Sequence, residues 1–324
     1  MTVPDSDLLV AEDGGTAAHG AGTGGDLPAG GEAFRAGFVN LLGRPNAGKS
    51  SLLNVLVGEP LSIVTAKAQT TRSRCLGIVQ GEGTQLIIGD TPGYLEARYA
   101  LQKLMARSIE TALEDADALV WVADLRDDPQ SELFLPGLLP CRMPLKVALN
   151  HSDTLEEGMR RERRMLWEKH FAGLDFTEIS CVTGEGIEAL RAWMQEVLPV
   201  HPPYFDPDQL TDLTERAMAS EMVREQIFCL YHQEIPYACH VVTEAFKEEP
   251  ELLRIEATVY VERDSQKGIL IGRKGLALKE VGTRARLQME KFWSRPVYLG
   301  LHVKVRNDWR NDPRMLRYFG YLSE

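Results

Sequence analysis

From Phe34 to about Val200, short apolar runs alternate with stretches of helical periodicity. Ala36 to Leu42, Gln85 to Ile88, Ala118 to Val122 and Leu145 to Leu149 have strand length. Ser51 to Val57, Leu101 to Leu113 and Arg160 to Phe171 predict helices, with Gly58 closing the first. Strands alternating with helices predict βαβ units, hence an α/β domain (34–200) with a mainly parallel sheet and helices on both faces. The stretch His201-Pro202-Pro203-Tyr204-Phe205-Asp206-Pro207 then breaks the pattern; its prolines exclude a helix interior or a central strand, so residues 201–213 predict a linker. Beyond it, Thr214 to Gln233 predicts a long helix capped by Thr211 or Asp212. Tyr237 to Phe246 and Leu252 to Arg263 predict strands, the second with Ile255, Ala257, Val259 and Val261 on one face. Leu278, Val281, Ala285, Met289 and Phe292 recur at helical spacing, and a strand from Val297 to Val305 precedes a tail with Trp309 and Leu316. Residues 214–324 thus form an α+β domain. Residues 1–33, acidic and Gly/Ala-rich with few large apolar groups, predict a disordered tail.

Composition adds what the pattern leaves open. The chain has 324 residues and a net charge of −11, with no apolar run long enough to span a membrane and no basic start of the kind that opens a secretory signal. Its five cysteines are scattered without a C-x-x-C pair, which suits free thiols in a reducing, cytoplasmic compartment rather than a disulfide frame or zinc site. From Glu251 to Glu324 there are 15 Lys plus Arg against 9 Asp plus Glu, a local +6 that leaves −17 for the rest. That asymmetry points to a polyanion partner for the C-terminal part alone, a solvated basic face being the alternative.

The strongest chemical signal is Gly43-Arg44-Pro45-Asn46-Ala47-Gly48-Lys49-Ser50, which fits G-x-x-x-x-G-K-[ST] between a predicted strand and a predicted helix. A glycine-bent loop in that position aims the backbone N–H groups of Asn46, Ala47, Gly48, Lys49, Ser50 and Ser51, with the positive end of the helix dipole, at a polyphosphate. Lys49 would then span the β- and γ-phosphates, and the Ser50 hydroxyl would ligate Mg²⁺. Gly89-Asp90-Thr91-Pro92-Gly93 closes the next strand; Asp90 there would hold a Mg²⁺-bound water, and the Gly93 N–H would meet the γ-phosphate. Between them, Gln69-Thr70-Thr71-Arg72 lies in a polar segment with room to move, where a threonine completes the Mg²⁺ shell; Thr71 is the choice and Thr70 the reserve. Lys49, Thr71 and Gly93 are accordingly the candidate catalytic residues.

Base recognition is read further on. Asn150-His151-Ser152-Asp153 ends a predicted strand, and the Asp153 carboxylate can accept from guanine N1 and N2, a donor pair that adenine lacks. Asn150 would tie neighbouring loops together. Ser180, Cys181 and Val182 follow, with the Cys181 N–H directed at guanine O6.

In the C-terminal part, Gly272-Arg273-Lys274-Gly275 follows the apolar run Gly268 to Ile271. Two glycines let a loop approach a sugar-phosphate backbone, with Arg273 and Lys274 supplying charge. Ile271, Gly272, Arg273, Lys274, Gly275 and Lys279 are the candidate RNA-binding residues. On their own, Ile269, Ile271 and Leu278 are read as core, and Lys279, Arg284 and Arg286 on the following helix divide evenly between RNA contact and solvated face.

The order Gly43 to Ser50, Thr71, Asp90 to Gly93, Asn150 to Asp153 and Ser180 to Val182 resembles the five motifs of translation-factor-related GTPases. Together with Lys67-Ala68-Gln69-Thr70-Thr71-Arg72, it resembles the Era family in particular, over about nine-tenths of the chain. The resemblance implies a GTPase domain with GTP or GDP and Mg²⁺ as ligands, followed by a type II KH domain. It also implies binding to the single-stranded 3′ end of small-subunit ribosomal RNA in small-subunit assembly, by a monomer, with weak peripheral membrane association allowed. Asn46 stands where some relatives hold K⁺. Tyr94 follows Gly93, where Ras-like proteins carry a glutamine, and so predicts slow intrinsic hydrolysis that a partner or cation accelerates. His151 departs from the usual N-K-x-D, losing the lysine's reach and charge, and predicts retained guanine specificity with weaker binding. A non-hydrolysing RNA scaffold and an ATP-using loop protein are the rivals.

Overall fold

A computed structural model describes residues 33–94, 97–131 and 143–322. The tail predicted for residues 1–33 lies, but for Ala33, outside them. The first sheet has the order β2-β3-β1-β4-β5-β6, with β1 Arg35–Leu42, β2 Cys75–Gly81, β3 Thr84–Asp90, β4 Ala118–Asp124, β5 Leu145–Asn150 and β6 Asp175–Glu178. All neighbours pair in parallel except β2 with β3, which are antiparallel. Strand β2 was not foreseen, because Cys75-Leu76-Gly77-Ile78-Val79 carries only a short apolar signal and its edge position leaves several residues half-exposed.

Alternation along the strands divides the core. Val39, Leu41, Leu86, Ile88, Val120 and Val122 face helix α1 (Lys49–Val57) and helix α4 (Ile187–Glu196). Leu42, Leu119, Trp121, Val147 and Leu149 face the other way, against Trp167 and Phe171 at the end of helix α3 (Glu157–His170). Helix α2 (Ala100–Glu114) covers the same side through Ile109.

Residues 201–213 contain no regular element, yet they are fastened rather than loose. Gln85 Oε1 accepts from the N–H groups of Tyr204 and Phe205 at 2.7 and 3.0 Å, Ile78 N–H donates to Leu210 O at 2.8 Å, and Thr211 Oγ1 donates to Leu76 O at 2.7 Å. Leu76 N–H in turn donates to Asp212 at 2.9 Å. Thr211 and Asp212 are therefore spent on the edge strand, and the cap of helix α5 (Glu215–Leu230) is Thr214, whose hydroxyl accepts from Ala217 N–H.

The second sheet is β7-β8-β9, with β7 His240–Glu248 antiparallel and β9 Val297–Val305 parallel to the central β8 Leu253–Val261. The predicted start of β7 at Tyr237 instead belongs to a short helix, α6 Ile235–Ala238, opened by Pro236 in its first turn. Ile255, Ala257, Val259 and Val261 are all buried, as their alternation requires, beneath α5 and helix α8 (Leu276–Trp293). The run before the glycine loop is the end of a helix, α7 Asp264–Ile271, and that changes which side chain is core: Leu270 is buried while Ile269 is 52% exposed.

The tail after β9 docks on both parts of the chain. Trp309 and Leu316, the latter on helix α9 (Pro313–Tyr318), are fully buried against Leu101 and Met105 of α2. Asn311 Oδ1 accepts from Ala100 N–H at 3.1 Å at the start of α2. Burying each large apolar side chain contributes ~1.5–3 kcal/mol, enough to hold so short a segment in place. Among the described residues, no helix is long and apolar enough to cross a membrane.

Candidate functional site

The loop from Gly43 to Gly48 joins the end of β1 to the start of α1, and its backbone demands glycine at two points. Gly43 has φ 143°, with Val122 O only 2.1 Å from where a Cβ would stand; Gly48 has φ 99°, with Asn150 Nδ2 at 2.0 Å from the same position. Lys49 is buried, and its ammonium donates to the Gly43 and Arg44 carbonyls at 3.1 and 2.9 Å, fixing it in the middle of the loop. Gly93 packs against Pro45, with Pro45 backbone atoms 2.8 Å from where its Cβ would stand, so the end of β3 reaches the same loop.

Three side chains from separate elements converge beside Lys49. Ser50 Oγ donates to Asp90 Oδ2 at 2.6 Å and lies 3.0 Å from Thr71 Oγ1, which donates to the same carboxylate oxygen at 3.2 Å. Asp90 is completely buried, and its other oxygen, Oδ1, finds no hydrogen-bond partner among the described residues. Burial pushes its carboxyl above the usual carboxylate range, although the Ser50 hydroxyl and the Lys49 charge pull the other way. Two hydroxyls and a buried carboxylate with an unspent oxygen make a donor set of hard ligands suited to Mg²⁺, directly or through water. Beside it opens a cavity of about 470 Å³ lined by loop residues Asn46, Gly48, Lys49, Ser50 and Ser51, by Thr70, Thr71 and Gly93, and by His151.

The far end of the site is built at the ends of β5 and β6. Asn150 Nδ2 donates to Ala47 O at 3.0 Å, clipping this end to the phosphate loop, and its Oδ1 receives the Cys181 N–H at 3.4 Å. Ser180 Oγ donates to Asp153 Oδ1 at 2.6 Å and accepts from the N–H groups of Val182 and Thr183 at 3.2 and 3.1 Å. Asp153 is exposed, as is the Val182 side chain, so Val182 stands at the site through its backbone. Burial pushes the Cys181 thiol up to about 12, leaving it an inert thiol. His151 occupies a left-handed position, φ 66°, with Nε2 at 3.8 Å from Asp124 Oδ2. Asp124 was not foreseen, although an acidic residue ending a strand beside a phosphate loop was the available signal. Burial opposes its charge, but hydrogen bonds from Arg126 hold it below the usual carboxylate range.

The polar segment around Thr71, expected to have room to move, is held on several sides. Arg72 is buried and donates to the carbonyls of Cys239, Tyr237 and Pro236 at 2.7, 3.0 and 3.2 Å, with its guanidinium 5.7 Å from the Trp309 ring. Lys67 donates to the carbonyls of Phe228 and Tyr231. Asn46 Nδ2 donates to Ala66 O at 3.1 Å, and Gln102 Nε2 to Gln69 Oε1 at 3.3 Å.

In the second sheet's domain, Gly272 and Gly275 take φ 70° and 77° and Lys274 takes 53°, a tight turn between α7 and α8 that leaves Arg273, Lys274 and Lys279 exposed. Ile271 is half-buried beneath it. A shallow groove of about 370 Å³ runs on from Gly275 past Leu278, Lys279, Gly282 and Arg286 to Leu299 and Leu301 of β9. Leu278 therefore packs against the core on one side and lines the groove on the other. Arg284 and Arg286 are each paired one turn along α8, with Glu280 at 2.7 Å and Glu290 at 2.6 Å, so part of their charge is already spent.

Residues 38–150 match the family described as 50S ribosome-binding GTPase, and residues 234–310 match the KH domain family. GTPase Era of Syntrophus aciditrophicus is 43% identical over 297 residues, covering 89% of this chain and 95% of the relative. A crystal structure of Era in complex with MgGDPNP and nucleotides 1506-1542 of 16S ribosomal RNA superposes with TM-score 0.84 at 35% identity, over 90% of this chain and all of the other. A variant of Aquifex aeolicus Era bound to GDP.AlF4- gives the same TM-score, identity and coverage. With the phosphate loop, the converging hydroxyls and carboxylate, and the glycine turn all in place, the chain belongs to the Era family of GTPases.

Proposed function

We propose that this chain is a cytoplasmic, GTP-hydrolysing switch that binds single-stranded ribosomal RNA at the 3′ end of the small-subunit RNA and assists small-subunit assembly. The observation that carries the enzymatic half is the meeting of Ser50, Thr71 and Asp90 next to Lys49, within 2.6 to 3.2 Å of one another. Ser50 and Thr71 would hold Mg²⁺, with Asp90 accepting from a water on it; the ion supplies charge neutralisation at the β- and γ-phosphates. Lys49 bridges those phosphates, the N–H groups of Asn46 to Ser51 cradle them, and the Gly93 N–H senses the γ-phosphate. Asp153 selects guanine, with Asn150, Ser180, Cys181 and Val182 shaping the pocket and His151 standing over the base. The Asn46 amide oxygen is the atom that would take K⁺.

The RNA half is supported by the glycine turn with Arg273 and Lys274 at the head of the groove, and by the crystallised relative that carries 16S ribosomal RNA. Single-turnover GTP hydrolysis, measured with and without a short 3′-terminal 16S RNA fragment, tests both halves. Turnover that RNA accelerates is the expected result; no GTP cleavage in either arm would reduce the chain to a nucleotide-regulated scaffold.

A further inference from the structure

One contact from the second domain lies next to the three converging side chains. Arg224 of α5 is 2% exposed, and its Nη2 donates to the Thr70 carbonyl at 2.6 Å, while Nε donates to Glu221 at 2.8 Å. The Thr70 carbonyl and the Thr71 nitrogen belong to one planar peptide unit, so fixing that oxygen fixes the plane from which Thr71 hangs. On the other side of Thr71, Arg72 is buried against the carbonyls of residues 236, 237 and 239. Thr71 is thus suspended between two anchors, and both are in the second domain. Stability alone accounts poorly for Arg224: a buried guanidinium costs several kcal/mol to desolvate, its Nη1 is a buried donor with no partner among the described residues, and the Glu221 carboxylate that it pairs with is a third exposed.

We propose that Arg224 is a positioning residue for GTP hydrolysis: it orients the Thr70–Thr71 peptide so that the Thr71 hydroxyl joins Ser50 and Asp90. The RNA-binding domain then completes the metal shell of the GTPase domain, and displacing α5 loosens it. The inference rests on the reading of Thr71 as a metal-shell residue.

The test uses the full chain, with GTP turnover titrated against Mg²⁺ and GDP affinity measured in parallel. Arg224→Met is expected to lower kcat roughly ten-fold and raise the half-saturating Mg²⁺, with GDP affinity within about two-fold of wild type, since a threonine in the Mg²⁺ shell acts on the γ-phosphate and GDP has none. Combined with Thr71→Ala, it should cost no more than Thr71→Ala alone, because both act through one hydroxyl. Losses that multiply would overturn the proposal. So would wild-type turnover in a folded Arg224→Met when Thr71→Ala is impaired; wild-type turnover in Thr71→Ala itself would instead remove the metal-shell reading. Should Arg224→Met melt below the assay temperature, Arg224→Lys decides. It keeps a cation but cannot hold Glu221 and the Thr70 carbonyl together, so an intermediate loss supports the role and unchanged kcat and Mg²⁺ dependence reject it.

Discussion

Ser180 Oγ donates a 2.6 Å hydrogen bond to Asp153 Oδ1, so one carboxylate oxygen is committed to the protein and the whole group is aimed by a neighbouring loop. An aspartate so held can accept from guanine N1–H and N2–H, the role proposed for it above. Asp153→Asn replaces an acceptor with a donor, which faces N2–H badly but suits a carbonyl at the same place. GTP binding should weaken by on the order of 100-fold, about 2.7 kcal/mol, while xanthosine triphosphate gains. Equilibrium titration with both nucleotides checks this, and unchanged GTP affinity would show that base selection lies elsewhere.

His151 stands 3.8 Å from Asp124 and so keeps company with an acid instead of reaching the phosphate loop. A lysine stem would lie along the base and bring its ammonium to the loop. His151→Lys should tighten GDP by roughly 3- to 10-fold, read by displacement of a fluorescent guanine nucleotide. An unaltered dissociation constant contradicts this.

Gly48 leaves no room for a methyl group. A Cβ there would sit 2.0 Å from Asn150 Nδ2, and a φ of 99° strains any L side chain. Gly48→Ala should therefore push Asn150 off Ala47 and cost about 1–2 kcal/mol in backbone strain besides, for a ten-fold or greater loss of both GTP and GDP affinity. Calorimetry with each nucleotide measures it.

Arg273 and Lys274 are both exposed on the glycine turn. Replacing both with alanine should weaken single-stranded RNA binding about ten-fold at moderate salt and flatten the log–log salt slope by roughly 1.4, with GTP affinity unchanged. A slope equal to that of the wild type places the phosphate contacts on other residues.

His240 carries a pH-dependent share of stability. Its Nδ1 lies 3.0 Å from the Tyr321 hydroxyl and its ring 4.0 Å from that of Phe319, and burial with the charges of Arg72 and Arg224 holds its pKa well below 6.5. Below about pH 6.5 the unfolded chain takes up a proton that the native state refuses, so stability falls as pH drops, by up to ~1.4 kcal/mol per pH unit. Thermal denaturation between about pH 7.5 and pH 5.5 should show a shallower decline in His240→Asn than in the wild type. Parallel declines would assign the effect to other groups.

The sequence by itself determined the strand-loop-helix around Gly43 to Ser50, the order of the motifs behind it, and the inward face of β8, because each depends on local backbone geometry or a period of two that residues write directly. It also carried the glycine turn at Gly272, and it located Thr71 and Asp90 without showing that their oxygens meet. Tertiary structure alone decided that Leu270 and not Ile269 is core, that Thr214 caps α5 while Thr211 and Asp212 serve β2, and that Trp309 packs against Leu101 of a helix about two hundred residues earlier. It alone revealed Lys67, Arg72 and Arg224 reaching across the chain to backbone carbonyls. The reason is physical: every residue offers a carbonyl, so a cation that binds one leaves no partner in the sequence to be matched, and only the folded chain says which oxygen it finds.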